Sequence, residues 1–462
     1  MGEYAAVETP SDWRADLLAG ATQVEVPLVA RNPAAWPGYE PRAAVSVWRL
    51  ARGPVAAMWD FRVQGGSFGE DDATALAAAA ALAVEERRPL LTVVRSGGTR
   101  LQEGMAALVG IPRARIALRE LADAGLPHLS VADAPTTGGV WISVVSAADL
   151  RVAVAGATVG FAGPRVVEAF TGELPAKGSH TAESAYAAGL VDAVLPGAEV
   201  TGWLDRALAA LTPPDVRSSG APGPSGSADA SITGWEQVLR SRARTRSGAD
   251  LLAELVGDAV LLRAPGGDET VAAAVGRLAG MPVVGVAVAA ALGGRPTPNG
   301  YRLAARAYRL AARLGLPVLS LVDTPGADPG TVAEEGGIAP AMGEALDALL
   351  DCPTPTLALV HGEGGSGGAL AAAAADRVLV TDEAYFAAIG PEGAQAALRR
   401  PKEECADRMR ITPADLLAVG VADALVEPAS VAAHLAELSD MPGSARLARR
   451  RERWGSPVPR GL

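Results

Sequence analysis

Short uninterrupted apolar runs alternate along this chain with longer segments carrying apolar residues at i, i+3 and i+4, and the whole alternation occurs twice. In the first half residues 56–61 predict a strand, followed by Gly65-Gly66 and a helix over 71–86. In the second half 283–288 predicts a strand, followed by Gly293-Gly294 and a helix over 300–314. Pro89 and Pro317 each end a helix and introduce a second strand, because proline drives the residue before it out of helical backbone. Those strands, 90–94 and 319–323, run into Gly97-Gly98 and Pro325-Gly326-Ala327. A third strand, 129–132 or 357–360, enters a further glycine turn, Gly138-Gly139 or Gly367-Gly368, and another helix follows. Strands alternating with helices predict an α/β class with mostly parallel pairing.

The two halves share more than element order. Gly98 and Gly326, Gly138 and Gly367, Gly163 and Gly390, and Gly189 and Gly420 are separated by 228, 229, 227 and 231 positions. So regular a spacing indicates an internal duplication. Residues 211–233 are rich in Pro, Gly, Ser and Ala, lack hydrophobic periodicity, and read as a flexible joint between the copies. The expected division is therefore a domain over 1–210, a linker over 211–233 and a domain over 234–462.

Each half carries two glycine turns, each after a buried strand, and such turns present backbone N–H groups at helix starts. Two amides aimed at one oxygen make an oxyanion hole, and glycine lets the backbone approach the substrate without an intervening Cβ. Close helix packing is the other use of such glycines; the matching pairs in both halves favour the oxyanion-hole reading over it. Glu363 in GEGGSGG and Glu392 in GPEG could polarise a group or cap a helix. Ser366 lacks credible triad partners, the four histidines (His128, His180, His361, His434) show no metal spacing, and the loops match neither dinucleotide nor P-loop patterns.

Composition narrows the functional class. The net charge of −11 argues against a general nucleic-acid partner, which needs clustered Lys and Arg. Cys352 and Cys405 are the only cysteines, which excludes a four-cysteine zinc site, and no metal is expected. There is no signal-like N-terminus and no apolar run of about 18 residues, so a soluble cytoplasmic protein without a membrane partner is expected.

The first half resembles the β subunit of the acetyl-CoA carboxylase carboxyltransferase and the wider acyl-CoA carboxylase family. The resemblance rests on FRVQGGSFGE from Phe61, SGGTRLQEG from Ser96, DAPTTGGV from Asp133 and GFAGPRVVE from Gly160. The second half resembles the α subunit through GWEQVLRSRA from Gly234, NGYRLAARAYRLA from Asn299, DTPGADPGTVAEE from Asp323, HGEGGSGGALA from His361 and GPEG from Gly390. It implies two tandem crotonase-like domains, paired across a dimer interface. It further implies carboxyl transfer from N-carboxybiotin to the α-carbon of an acyl-CoA such as acetyl-CoA or propionyl-CoA. A biotin carboxyl carrier protein and a biotin carboxylase would be partners of a homo-oligomer. By analogy Gly97, Gly98, Gly138 and Gly139 serve the thioester, while Gly326, Ala327, Gly367 and Gly368 serve biotin. Arg100 and Arg165 are candidates for the CoA phosphates, with Gly163, Pro164 and Trp141 on the acyl side. Glu363, Gly364, Gly365, Gly390 and Glu392 fall on the biotin side.

The sequence also departs from the family pattern. It lacks the four-cysteine zinc ribbon, places Trp141 after the TTGGV turn, and has Gly336-Gly337-Ile338 where Arg-Gly-Gln is usual. The loop between Gly294 and Asn299 is short and keeps Arg295 as its basic residue. Two other readings stay open: a malonyl-thioester decarboxylase, and an acyl-CoA-binding subunit without chemistry.

Overall fold

The computed structural model describes residues 13–456 except 30, 34, 52, 213–225 and 227. Two compact units divide between Asp205 and Arg206, inside the helix Gly197–Leu211 and slightly ahead of the expected boundary at 210. Most of the expected linker, 213–225 and 227, lies outside the described residues.

In the first unit β1 (Thr22–Val24), β2 (Val45–Arg49), β3 (Val55–Trp59), β4 (Leu90–Ser96), β5 (His128–Thr137), β6 (Leu150–Val154) and β8 (Ala193–Leu195) lie side by side in the order β1-β2-β3-β4-β5-β6-β8. The short strand β7 (Val159–Gly160) pairs with the end of β5. Strands β1 to β3 pair antiparallel; from β3 onward pairing is parallel. The second unit repeats the plan with β9 (Gly257–Leu262), β10 (Val271–Leu278), β11 (Met281–Val288), β12 (Val318–Thr324), β13 (Thr356–Gly365), β14 (Arg377–Val380) and β16 (Ala424–Leu425) in consecutive order. There β15 (Tyr385–Ala387) takes the place of β7, beside the end of β13.

The parallel strands are buried on both faces, so they read as continuous apolar runs, as fully covered parallel sheets do. On β12 and β13, Leu319, Leu321, Leu357 and Leu359 pack into one cluster with Leu251, Leu252, Leu435 and Leu438. The opposite face meets the helix Pro298–Leu314, where the Tyr308 hydroxyl is 3.0 Å from Ser320 Oγ. That helix starts as its sequence predicts: Thr297 caps it, Pro298 opens it, and Gly315 ends it at a φ of 72°. The helix Glu70–Glu85 is mainly alanine, and its Ala73, Ala79, Ala80 and Ala83 are buried. Among the described residues no helix is long and apolar enough to cross a membrane.

One irregularity appears in both sheets. Val94 pairs with Ala132 but Ser96 pairs with Thr136; likewise Val322 pairs with Val360 but Thr324 with Gly364. In each unit the longer strand therefore gains two residues just before its glycine turn. This explains why β5 and β13 extend well past the predicted 129–132 and 357–360. Bulges of this kind re-aim a strand end, and here they deliver two turns to one place.

Candidate active site

In the first unit β4 ends at Ser96, and the chain turns through Gly97 and Gly98, the latter at a φ of 120°. The Ser96 hydroxyl accepts the Gly98 amide at 3.2 Å and donates to the Gly98 carbonyl at 3.3 Å. In the second unit β12 ends at Thr324. Its hydroxyl accepts the Gly326 amide at 3.2 Å and donates to the Gly326 carbonyl at 2.9 Å, with φ at Gly326 of 130°. The duplication thus extends to individual hydrogen bonds.

The second turn of each unit lies against the first. A Cβ at Gly138 would come 2.8 Å from Gly98 Cα and 3.6 Å from the Thr99 nitrogen. A Cβ at Gly368 would come 2.5 Å from the Ala327 nitrogen and 2.7 Å from the Tyr301 hydroxyl. Both positions therefore require glycine, for close approach of backbone to backbone. The strand register corrects the expected pairing of Gly138 with Gly367. Thr136 and Gly364 face the two clamping residues, so the counterpart of Gly138 is Ser366, and that of Gly139 is Gly367. Backbone conformation agrees, since φ is 75° at Gly138 and 64° at Ser366.

The amides at these turns are unequal. The expectation that all of them are free is corrected: Gly97 donates to Gly65 O at 2.9 Å, and Gly138 donates to Gly160 O and Phe161 O at 3.2 and 3.0 Å. The amides of Gly98 and Gly326 are engaged only by the hydroxyls just described. Among the described residues, the N–H groups of Thr99 and Gly139 in the first unit meet no acceptor. The same holds for Ala327, Gly367 and Gly368 in the second. Thr99 and Tyr301 were not singled out from sequence; the position of Thr99 immediately after the SGG turn was the available signal. The Tyr301 hydroxyl is fully buried without a partner beside Gly368 and Ala327, and burial holds its proton on well above the usual phenol range.

Arg100 does not bind a phosphate in this arrangement. It is fully buried, 2.7 Å from Asp72 and 3.2 Å from Glu103, and it also donates to the carbonyls of Arg42 and Ser67. Every direction its guanidinium offers is spent inside the fold, so the expectation of a CoA contact is corrected to a structural one. Arg165 is exposed in the first turn of the helix Pro164–Thr171, with Gly163 as its N-cap. The helix Pro391–Leu398, capped by Gly390, matches it in length and in its proline at the first position. Trp141 is half-buried in the short helix Gly139–Ser143, and its amide donates to the Gly138 carbonyl at 3.1 Å.

Residues 53–188 match the carboxyl transferase domain family, and residues 227–442 match the acetyl co-enzyme A carboxylase carboxyltransferase-like family. A protein of Salinispora arenicola named acetyl-coenzyme A carboxylase carboxyl transferase subunits beta/alpha is 40% identical over 446 residues, covering 86% of this chain and 78% of its own. This chain belongs to the acyl-CoA carboxylase carboxyltransferase family. A Mycobacterium tuberculosis relative, named a probable biotin-dependent acyl-coenzyme A carboxylase beta3 subunit, is 35% identical over 87% of this chain and 85% of its own. The transcarboxylase 12S structure with methylmalonyl-coenzyme A bound superposes with a TM-score of 0.76 at 24% identity, over 92% of this chain and 87% of that one. The fold is accordingly that of the two-domain, crotonase-like carboxyltransferases.

In this carboxyltransferase Arg242 joins two of the predicted biotin-side acids. Its guanidinium lies 3.1 Å from buried Glu363 and grips Glu392 through both carboxylate oxygens at 2.7 and 3.0 Å. The Tyr385 hydroxyl donates to Glu363 at 2.7 Å. Hydrogen bonding from Arg242 holds Glu392 down at about 2, against a smaller opposing effect of burial. A carboxylate held so low is not a proton acceptor near neutral pH. Asp323, beside the clamp Thr324, pairs with Arg244 and accepts the Glu363 amide at 3.0 Å. Arg242 lay inside the GWEQVLRSRA motif and Arg244 just after it, but nothing in their spacing tied them to acids more than 75 residues away. Glu363, Glu392 and Asp323 are thus each held by an arginine, while Arg295 donates to the Ala327 carbonyl at 3.4 Å, so the amides and this guanidinium are the chemical equipment at the second turn.

Proposed function

We propose that this protein moves a carboxyl group from N-carboxybiotin, carried on a separate protein, to the α-carbon of an acyl-CoA. The observation that carries the reading is the pair of hydroxyl-clamped turns, each next to amides without acceptors: Thr99 and Gly139 in one unit, Ala327, Gly367 and Gly368 in the other. Neutral N–H donors packed against glycines that leave no Cβ in the way suit a carbonyl or ureido oxygen that gains charge during reaction, and such a donor contributes about 3–4 kcal/mol to the transition state. Carboxybiotin, when bound, would supply both the carboxyl group and a nitrogen able to take the α-proton.

In this reading the first unit receives the thioester oxygen on the amides of Thr99 and Gly139 as the enolate develops, while Gly97, Gly98 and Gly138 shape the two turns. The Gly98 amide stays on Ser96 Oγ at 3.2 Å, which holds the peptide plane that aims the Thr99 amide. The second unit, with Gly326, Ala327, Gly367 and Gly368, receives the biotin ureido oxygen; Glu363 and Glu392 fix the surrounding wall through Arg242. Gly364, Gly365 and Gly390 shape the backbone of that wall, while Gly163, Pro164, Trp141 and Arg165 border the acyl side. The partners would be a biotin carboxyl carrier protein, its biotin carboxylase and further copies of this chain. The helix Pro164–Thr171 buries none of its residues, and Phe161, Phe170 and Leu174 are 69, 88 and 67% exposed around it. An apolar surface of this kind is what an oligomer covers. The cytoplasm is the fitting compartment for a chain whose Cys352 and Cys405 are both buried free thiols.

The test supplies purified protein with biotinylated carrier, biotin carboxylase, ATP, labelled bicarbonate and a panel of acyl-CoA thioesters. Label is expected in the α-carboxyacyl product. Absence of label across the panel defeats the proposal, and release of CO2 from a malonyl thioester without any biotin protein would transfer the turns to decarboxylation.

A further inference from the structure

The second unit contains a cavity of about 420 Å³ whose walls include Asp376 and Arg377 at the start of β14 and Asp423 and Ala424 at the start of β16. The glycine turns follow the opposite, C-terminal ends of the parallel strands β12 and β13, so the cavity is not part of the carboxyl-transfer site. Its remaining walls are the helices Val431–Ser439 and Gly443–Gly455.

Charge around the cavity does not balance. Each acid in the lining has its own arginine: Asp376 pairs with Arg450 at 2.7 Å, Asp423 with Arg453 at 2.8 Å, and Glu437 with Arg377 at 2.7 Å. Two further cations, Arg446 and Arg449, have no carboxylate partner among the described residues. Arg446 is 8% exposed and bonds only to the carbonyls of Leu438, Met441 and Pro353; its Nε–H is buried without an acceptor. Arg449 is exposed at the rim.

A second, independent donor faces the same surroundings. His434 is 6% exposed, and its Nδ1 lies 3.0 Å from Arg377 Nη1. A guanidinium can only donate, so Nδ1 accepts and the neutral ring carries its hydrogen on Nε2. That N–H is also buried without an acceptor. Burial, followed by the nearby Arg377, lowers the His434 pKa and keeps the ring neutral. The Arg446 cation with its orphaned N–H, the orphaned His434 N–H and the Arg449 cation are together costly, and the charge that would satisfy them is a compact anion rich in acceptor oxygens.

We propose that this cavity binds the phosphate group of a small molecule, either free phosphate or a nucleotide monophosphate, through His434 Nε2, Arg446 and Arg449. Its volume falls within the range of small-molecule sites. The anion would tie the helix Val431–Ser439 to Gly443–Gly455, since it takes donors from both.

The test is isothermal titration of the full chain with inorganic phosphate, AMP and chloride at constant ionic strength. Saturable binding of phosphate, AMP or both, but not chloride, is expected, and the phosphate and AMP arms separate the two sources. Arg449→Glu reverses an exposed charge that makes no internal bond, so it should unfold at the wild-type temperature yet bind roughly ten-fold or more weakly. His434→Phe should also weaken binding, through loss of the Nε2 donor. The proposal is overturned if neither phosphate nor AMP binds saturably, or if Arg449→Glu and His434→Phe both bind as the wild type does. Carboxyl transfer can be normal in either outcome, so failure here leaves the proposed function untouched.

Discussion

Thr324 holds Gly326 at both ends of one residue: its hydroxyl accepts the amide at 3.2 Å and faces the carbonyl at 2.9 Å. The same oxygen is 2.8 Å from the Gly294 carbonyl, so the clamp also joins the turn to the preceding loop. Ser96 and Gly98 repeat the clamp in the other unit. A peptide plane fixed in this way keeps the next amide, that of Ala327 or Thr99, aimed in one direction. Thr324→Val keeps the shape and removes the clamp. It should cost about 1–3 kcal/mol of stability, because the buried Gly326 amide loses its acceptor, and lower kcat for carboxyl transfer in the folded protein roughly ten- to a hundredfold; Thr324→Ser should recover most of both losses. Wild-type turnover in the valine variant would dismiss the hydroxyl as an orienting group.

Two glycines with nearly the same φ separate backbone strain from collision. Gly138 has a φ of 75° and Gly172 a φ of 77°, but a Cβ at Gly172 meets nothing within 4 Å, whereas at Gly138 it meets Gly98 Cα at 2.8 Å. Gly172→Ala should cost about 1 kcal/mol of stability and leave turnover intact. Gly138→Ala should cost that and more, and abolish measurable carboxyl transfer because the two turns must move apart. Denaturant melts beside steady-state rates make the comparison; equal rates in the two variants would remove the case for close approach.

Arg100 offers a prediction with a sign in pH. Burial pushes Asp72 up to about 6, while Arg100 and the amides of Gly69, Val45 and Ala44 pull the other way. Arg100→Met leaves Asp72 and Glu103 buried without their cation and should destabilise the fold by about 3–5 kcal/mol. The folded pKa of Asp72 then rises further above its unfolded value, so stability present at low pH is lost as pH rises through it. The deficit relative to wild type should be larger near pH 8 than near pH 5 in urea melts. A variant of normal stability with only a raised KM for acyl-CoA would restore the phosphate-contact role.

The parallel strands and the glycine turns were legible because both are local: apolar runs mark buried strands, and glycine marks places where Cβ cannot fit. The 228-residue repeat was legible for the same reason, although it placed Gly367 opposite Gly138 where the register puts Ser366. What escaped was non-local. Nothing near Arg100 in sequence announces Asp72 as its partner, and nothing near Glu392 announces Arg242. Which amides are spent was equally hidden, since Gly97 donates its N–H to the Gly65 carbonyl through a loop approach that no spacing encodes.

His361, on β13 four residues ahead of Gly365, makes acid sensitivity a property of the second unit. It is 5% exposed with an orphaned Nε2, and burial, aided by Arg244 and Arg246, pushes its pKa down to about 3. Between that value and the ordinary one near 6.5, the unfolded chain takes up a proton that the folded chain refuses. Stability is therefore lost as pH falls through this window, by up to ~1.4 kcal/mol per unit, and the loss levels off below the folded pKa. His361→Leu removes the proton acceptor and fills the site with apolar volume. The difference in unfolding free energy between wild type and variant should consequently shift in favour of the variant as the pH is lowered from about 7 to about 4. A difference that stays constant over that range would show that His361 is charged at no cost, contrary to its burial between two arginines.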